Sequence, residues 1–108
     1  MSAPRRGDVY LVNLDPTEGQ EIRKTRPCVV VSPDELNAHL GTFLVAPLTT
    51  GRHPYPFRIA CRFRDRDGFV VLDQLRAVDR ARLVERLGRL AAPTTRKALS
   101  VLREMSAE

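Results

Sequence analysis

From Phe57 to Arg64 the chain alternates without a break, with Phe57, Ile59, Cys61 and Phe63 on one side and Arg58, Ala60, Arg62 and Arg64 on the other. A period of two is that of a half-buried strand, so this stretch predicts one face packed on a core and another presenting three arginines. Residues 8–14 (DVYLVNL) read as a first strand, followed over residues 15–25 by a polar loop that opens with the turn formers Asp15, Pro16, Thr17, Glu18, Gly19 and Gln20. Loops of that length inside small domains commonly carry function. Residues 28–31, mostly β-branched and bounded by Pro27 and Pro33, predict a buried strand, and residues 42–48 predict the next. A second loop, residues 50–56, holds Gly51, Arg52, His53 and Tyr55 between prolines. Asp65, Arg66, Asp67 and Gly68 predict a turn, residues 69–75 a fifth strand, and residues 85–90 a last one.

Helical signals are fewer. Ser32 reads as an N-cap, with Pro33 at the first helical position and a helix running to about Leu40 before Gly41. A helical turn is expected between Asp79 and Leu83, and a closing helix from Pro93 to about Met105, with Leu99, Val101 and Leu102 as its apolar stripe. Many short strands and one closing helix predict a mainly β fold, a bent barrel with appended helices.

At 108 residues this is one domain, expected to span residues 1–108 with an ordered core of about 5–105. No apolar run approaches the roughly 20 residues of a membrane helix, and the charged start does not lead into an apolar stretch, so a cytoplasmic protein without a membrane span is expected. Cys28 and Cys61 lie in apolar runs without metal-ligand spacing, and are expected to be reduced thiols packed as small hydrophobes; no metal and no cofactor is expected. The net charge of +5 is not spread evenly. Residues 1–54 carry six Lys or Arg against six Asp or Glu, and residues 55–108 carry twelve against seven, most of the cations being Arg. Such a half reads either as an ordinary solvated surface or as a phosphate-attracting face, since guanidinium groups bind phosphate bidentately and stack on bases.

Arg26, ahead of the residue 28–31 strand, and Thr49, at the end of the residue 42–48 strand, are the candidate chemistry. If the strands are neighbours, a permanent cation and a hydroxyl meet at one sheet edge, where a phosphodiester can be gripped and polarised. Cleaving RNA without a metal uses the substrate's own 2′-hydroxyl, which must be deprotonated while the phosphate charge is relieved and the leaving oxygen protonated. Arg26 supplies charge relief, Thr49 orients a phosphate oxygen or a proton, and Glu21 accepts the hydroxyl proton if its loop folds over the site. Gln20, Thr50, Arg52, His53, Tyr55, Arg58, Gln74 and Arg76 are the candidate RNA contacts.

Six segments occur together in order: Arg6-Gly7-Asp8-Val9-Tyr10, Asp15-Pro16-Thr17 with Gly19 and Glu21, Arg26-Pro27 with Val29-Val30-Val31-Ser32-Pro33, Pro47 with Thr49-Thr50, Tyr55-Pro56-Phe57, and Asp73-Gln74 with Arg76. Their order and spacing resemble the MazF/PemK (Kid) family of toxin endoribonucleases over most of residues 5–105. The resemblance implies a Src-homology-3-like barrel of the CcdB/PemK type with a C-terminal helix, a symmetric homodimer, and metal-independent, sequence-specific cleavage of single-stranded RNA. It also implies inhibition of translation and growth, and a cognate MazE-like antitoxin that blocks the cleft with an acidic C-terminal segment. On the matching motifs Arg26 and Thr49 fall on the family's catalytic pair, Glu21 on an acid implicated in catalysis, and Gln74 beside the cleft. Gln20 and Ile22 flanking Glu21, and Gly51 after the two threonines, depart from the commoner pattern, so base preference does not carry over. Two other readings are compatible with the residues: a CcdB-like gyrase poison, disfavoured by the lack of Trp, and a non-catalytic nucleic-acid-binding module that uses only the basic face.

Overall fold

The computed structural model describes residues 3–14, 25–51 and 57–107. Its strands are β1 (Asp8–Asn13), β2 (Thr25–Val30), β3 (Thr42–Thr50), β4 (Arg58–Phe63), β5 (Arg66–Val71), β6 (Arg76–Asp79) and β7 (Leu83–Arg89). Helix α1 (Asp34–His39) joins β2 to β3, and α2 (Ala92–Ser106) follows β7. All recorded pairings are antiparallel, in the order β4-β5-β3-β2-β1-β7, with β6 also on β3. The mainly β architecture with a closing helix is as the patterning predicts, but the barrel is not closed by backbone pairing. Its two outer strands, β4 and β7, meet through side chains instead. Arg64 donates to the Leu87 carbonyl, and the Phe63 ring lies so near Gly88 that an added Cβ would stand 3.3 Å from it.

The run at residues 28–31 is continuous because both of its faces are buried. Val29 and Val31 join Val9, Ala46, Leu48, Ile59, Val70 and Leu72 in one apolar cluster, against which α2 lays Ala98, Leu99, Val101, Leu102 and Met105. Cys28 and Val30 point the other way, into a second cluster with Val12, Phe43, Val45 and Val78. Strand alternation thus divides one sheet into two small cores.

Several expectations are corrected. Phe57 is not core: it stands 46% exposed with a φ of 65°, just before the strand begins. The hairpin turn is Arg64-Asp65, whose φ values of 51° and 63° give the left-handed pair that a two-residue connection requires. Asp67 and Gly68 are therefore strand residues. The fifth strand expected over residues 69–75 is interrupted by a 3₁₀ turn, Leu72–Gln74, after which the chain pairs with β3 again as β6. Thr25 belongs to β2 and not to the preceding loop. Ser32 does not cap α1. Its hydroxyl donates to Asn37 Oδ1 at 2.5 Å and accepts from the Leu44 N–H at 3.1 Å, while Asn37 donates back to the Ser32 carbonyl at 3.0 Å. Both side chains are buried, so this closed set of bonds outcompetes a cap exposed at the helix end.

Asp8 pins the chain start to β7. Its buried carboxylate accepts from the Arg5 N–H at 2.9 Å, Arg86 at 3.2 Å and Arg89 at 3.0 Å. Replacing it by Ala strips three bonds at once, and Asp8→Ala is expected to lose about 1–3 kcal/mol, read as a lower urea midpoint at constant slope. An unchanged midpoint contradicts this role.

Burial pushes the Cys28 thiol up to about 12 from its ordinary 9.0, against the opposing pull of the Arg26 and Arg76 cations. The folded chain then keeps a proton that the unfolded chain releases, so stability present below pH 9.0 falls away as pH rises towards about 12. Urea titrations across that window should show a shallower decline in Cys28→Ala than in the parent; parallel declines contradict the assignment.

Candidate active site

β2 and β3 pair at Val30 with Val45, Val29 with Ala46 and Cys28 with Pro47, and the recorded ladder ends there. The next residue of β2 is Pro27, which has no N–H with which to extend it. Two residues further along that register, Arg26 comes opposite Thr49. β3 meanwhile turns its pairing to β5, setting Leu48 with Val70, Thr49 with Phe69 and Thr50 with Gly68. A cavity of about 310 Å³ occupies the opening. Arg26 and Pro27 of β2 line one side, Leu48, Thr49 and Thr50 of β3 the middle, and Cys61, Phe63, Arg66, Asp67 and Gly68 of the β4–β5 hairpin the other side. The expected pair is brought together, with Arg26 inside β2 and not ahead of it.

Gly68 makes this wall possible. A Cβ there would lie 1.8 Å from the Thr49 carbonyl oxygen, so β5 approaches β3 closely only because the side chain is absent. Thr49 Oγ1 donates to the Thr50 carbonyl at 3.1 Å, a bond that rotation of the hydroxyl can exchange for an acceptor in the cavity. Among the described residues no carboxylate is ion-paired with Arg26. Cys61 is half-buried on the cavity wall, its thiol pushed up by burial and by the Asp67 charge. Both cysteines are free thiols, as expected, though only Cys28 is fully buried. Among the described residues no three His, Cys, Asp or Glu side chains gather as a metal site, and no helix is long and apolar enough to cross a membrane.

Thr50 lines the cavity. Arg58 sits on β4 with Nε 3.2 Å from Asp73 Oδ1 and Nη2 3.4 Å from Oδ2. Arg76, on β6, donates to the Leu14 carbonyl at 3.2 Å, and Gln74 is exposed in the 3₁₀ turn; neither lines the cavity. Gln20, Glu21, Arg52, His53 and Tyr55 lie outside the described residues. Arg66 and Phe63 were not anticipated. Reading Arg64-Asp65 as a two-residue turn is what finds them, since it makes Phe63 and Arg66 direct partners, and likewise Cys61 and Gly68.

A mainly β domain with a guanidinium and a hydroxyl lining one opening between neighbouring strands defines a class of site suited to phosphodiesters. Residues 5–106 match the family described as the PemK-like, MazF-like toxins of type II toxin-antitoxin systems, and the chain belongs to that family. The endoribonuclease toxin MazF of Escherichia coli K12 is 38% identical over 89 residues, covering 82% of this chain and 80% of that protein. The endoribonuclease MazF of Staphylococcus epidermidis is 36% identical over 89 residues, covering 77% and 74%. The crystal structure of MazE-MazF from Deinococcus radiodurans superposes with a TM-score of 0.83 at 27% identity, covering 97% of this chain and 96% of that one. An endoribonuclease in complex with its cognate antitoxin from a mycobacterial species gives a TM-score of 0.79 at 27% identity, covering 94% and 93%.

The β5–β3 approach is testable by itself. Gly68→Ala should destabilise the chain by about 1–3 kcal/mol, the usual cost of overpacking, with the cavity wall displaced. Gly41→Ala, where an added Cβ meets nothing within 4 Å, should move the urea midpoint far less. Equal effects of the two substitutions contradict the close approach.

Proposed function

We propose that this chain is a metal-independent endoribonuclease toxin that cuts single-stranded RNA at a short sequence motif, inhibiting translation and growth in the cytoplasm until a cognate antitoxin neutralises it. The observation that carries this is the shared cavity: Arg26 and Thr49, from strands that part at Pro27, line one opening in a chain of the PemK-like, MazF-like family. The relatives named endoribonuclease support the activity, and the solved complexes of relatives with antitoxins support the partner.

In this reading the ribose 2′-hydroxyl attacks the adjacent phosphorus in line. Its proton leaves to a base, for which Glu21 is the candidate, and the 5′-oxygen departs with a proton. The Arg26 guanidinium neutralises the phosphate and donates to its oxygens where the negative charge grows. Thr49 holds a phosphate oxygen or relays a proton at the opposite strand end. The products are a 2′,3′-cyclic phosphate and a 5′-hydroxyl. Gln20, Thr50, Arg52, His53, Tyr55, Arg58, Gln74 and Arg76 remain the proposed RNA contacts around this centre.

The proposed assembly is a homodimer. Leu36 on α1, Leu40 just after it and Leu44 on β3 are exposed, apolar side chains that a second copy would cover. The antitoxin's acidic segment suits the cationic half of the chain, as a disordered acidic ligand that folds on a basic groove.

Incubation with a long single-stranded RNA in excess chelator tests the function. Discrete cuts ending in cyclic phosphates are expected, with activity lost by at least 10³-fold in Arg26→Ala and by about 10²-fold in Thr49→Val while the circular dichroism spectrum is kept. Binding without cuts identifies a nucleic-acid-binding module, and neither binding nor cutting favours a gyrase poison. Full activity in Arg26→Ala removes this site.

A further inference from the structure

We propose that Arg66 is a second phosphate-holding residue of the cavity, gripping the backbone phosphate next to the one that Arg26 and Thr49 hold. The inference rests on the reading of this cavity as an RNA-cleaving site, and names a contact that the six matching segments do not contain.

The other guanidiniums of the β4–β5 wall are engaged. Arg58 is occupied by Asp73 at 3.2 Å. Arg62 is ion-paired with Asp67 at 3.2 Å. Arg64 donates to the Leu87 carbonyl and lies over the Phe63 ring, 5.6 Å from its centroid. Arg66 differs from all three: it is exposed, it lines the cavity, and no hydrogen bond or ion pair of its side chain is recorded among the described residues. Asp67 beside it is the acid that would be nearest in sequence, and that carboxylate already serves Arg62.

Position makes the unpartnered charge useful. Arg66 is the direct partner of Phe63 and stands two register pairs beyond Gly68, which itself pairs with both Cys61 and Thr50. Arg26 enters from β2 on the far side of Thr49 and Thr50. The two guanidiniums therefore flank the threonines from opposite walls, over a floor made apolar by Leu48, Cys61 and Phe63. A single phosphate calls for one fork of donors; a chain of phosphates crossing the opening meets a second cation at the second wall. A contact of this kind anchors the strand without reading its sequence.

The test uses the full chain and an RNA whose nucleotide at the cut carries a 2′-deoxyribose, so that it binds without being cleaved. Arg66→Gln is expected to weaken binding of this probe by about tenfold, equally across probe sequences, and to lower the slope of log affinity against log salt by about one. With cleavable RNA the loss should appear in KM, with kcat within about twofold, and Arg66→Lys should restore most of it. Arg103→Gln, which removes the same charge from the last turns of α2, should leave both quantities unchanged. Unaltered affinity and salt slope in Arg66→Gln overturn the proposal, as does a fall in kcat without a change in binding, which would place Arg66 on the reacting phosphate. The two readings fail separately: a parent chain that cuts no RNA defeats the proposed function, whereas a parent that cuts and depends on Arg26, beside an Arg66→Gln variant that binds normally, defeats only this assignment.

Discussion

The site depends on how closely β5 lies against β3 at the residue that carries the hydroxyl. With 1.8 Å between a Gly68 Cβ and the Thr49 carbonyl oxygen, only glycine allows the hairpin to approach there. That approach lets β5 take over the pairing of β3 where β2 abandons it, at Cys28 and Pro47. Thr49 is thus held by its ladder to β5 while its other neighbour falls away, and the opening beside it is a cavity with a cation at its edge. A hydroxyl fixed by backbone pairing and a guanidinium carried on a strand are positioned before any ligand arrives, the condition under which electrostatic stabilisation acts most strongly.

The arginine-rich second half is less a basic surface than its composition implies. Asp73, Asp67 and Asp8 engage Arg58, Arg62, Arg86 and Arg89, and Arg5 stands 3.6 Å from Asp34. Apart from the buried Asp8 carboxylate, such exposed pairs contribute little stability, but all of them remove cations from the pool that a polyanion meets. Among the described residues, the charge left without a recorded side-chain partner near the threonines belongs to Arg26 and Arg66. A localised pair of cations favours a defined path for the strand over diffuse attraction.

Much of this was legible in the sequence where the signal is local. The alternation at residues 57–64, the β-branched run at 28–31 and the glycine and proline punctuation place most strands, and the short link through α1 makes β2 and β3 neighbours, which brings Arg26 to Thr49. The β4–β5 wall was not legible, because the Arg64-Asp65 turn adopts left-handed geometry without the glycine or asparagine that usually announces it. That misplaced Gly68 into a turn and hid Arg66. The break between β5 and β6 was masked by the apolar run Val70-Val71-Leu72, which looks the same whether its last residue extends the strand or begins a 3₁₀ turn. Ser32 was misread for a related reason: a buried partner twelve residues away, Leu44, competes for the hydroxyl that local sequence assigns to a cap.

The central claim is that Arg26 and Thr49 grip one phosphate together. A structure of the chain bound to RNA carrying a 2′-deoxyribose at the cut tests it most directly. The account predicts the phosphate 3′ of that sugar in the cavity, within hydrogen-bond distance of both the Arg26 guanidinium and Thr49 Oγ1. An RNA strand that lies across another face, leaving both side chains in solvent, contradicts it.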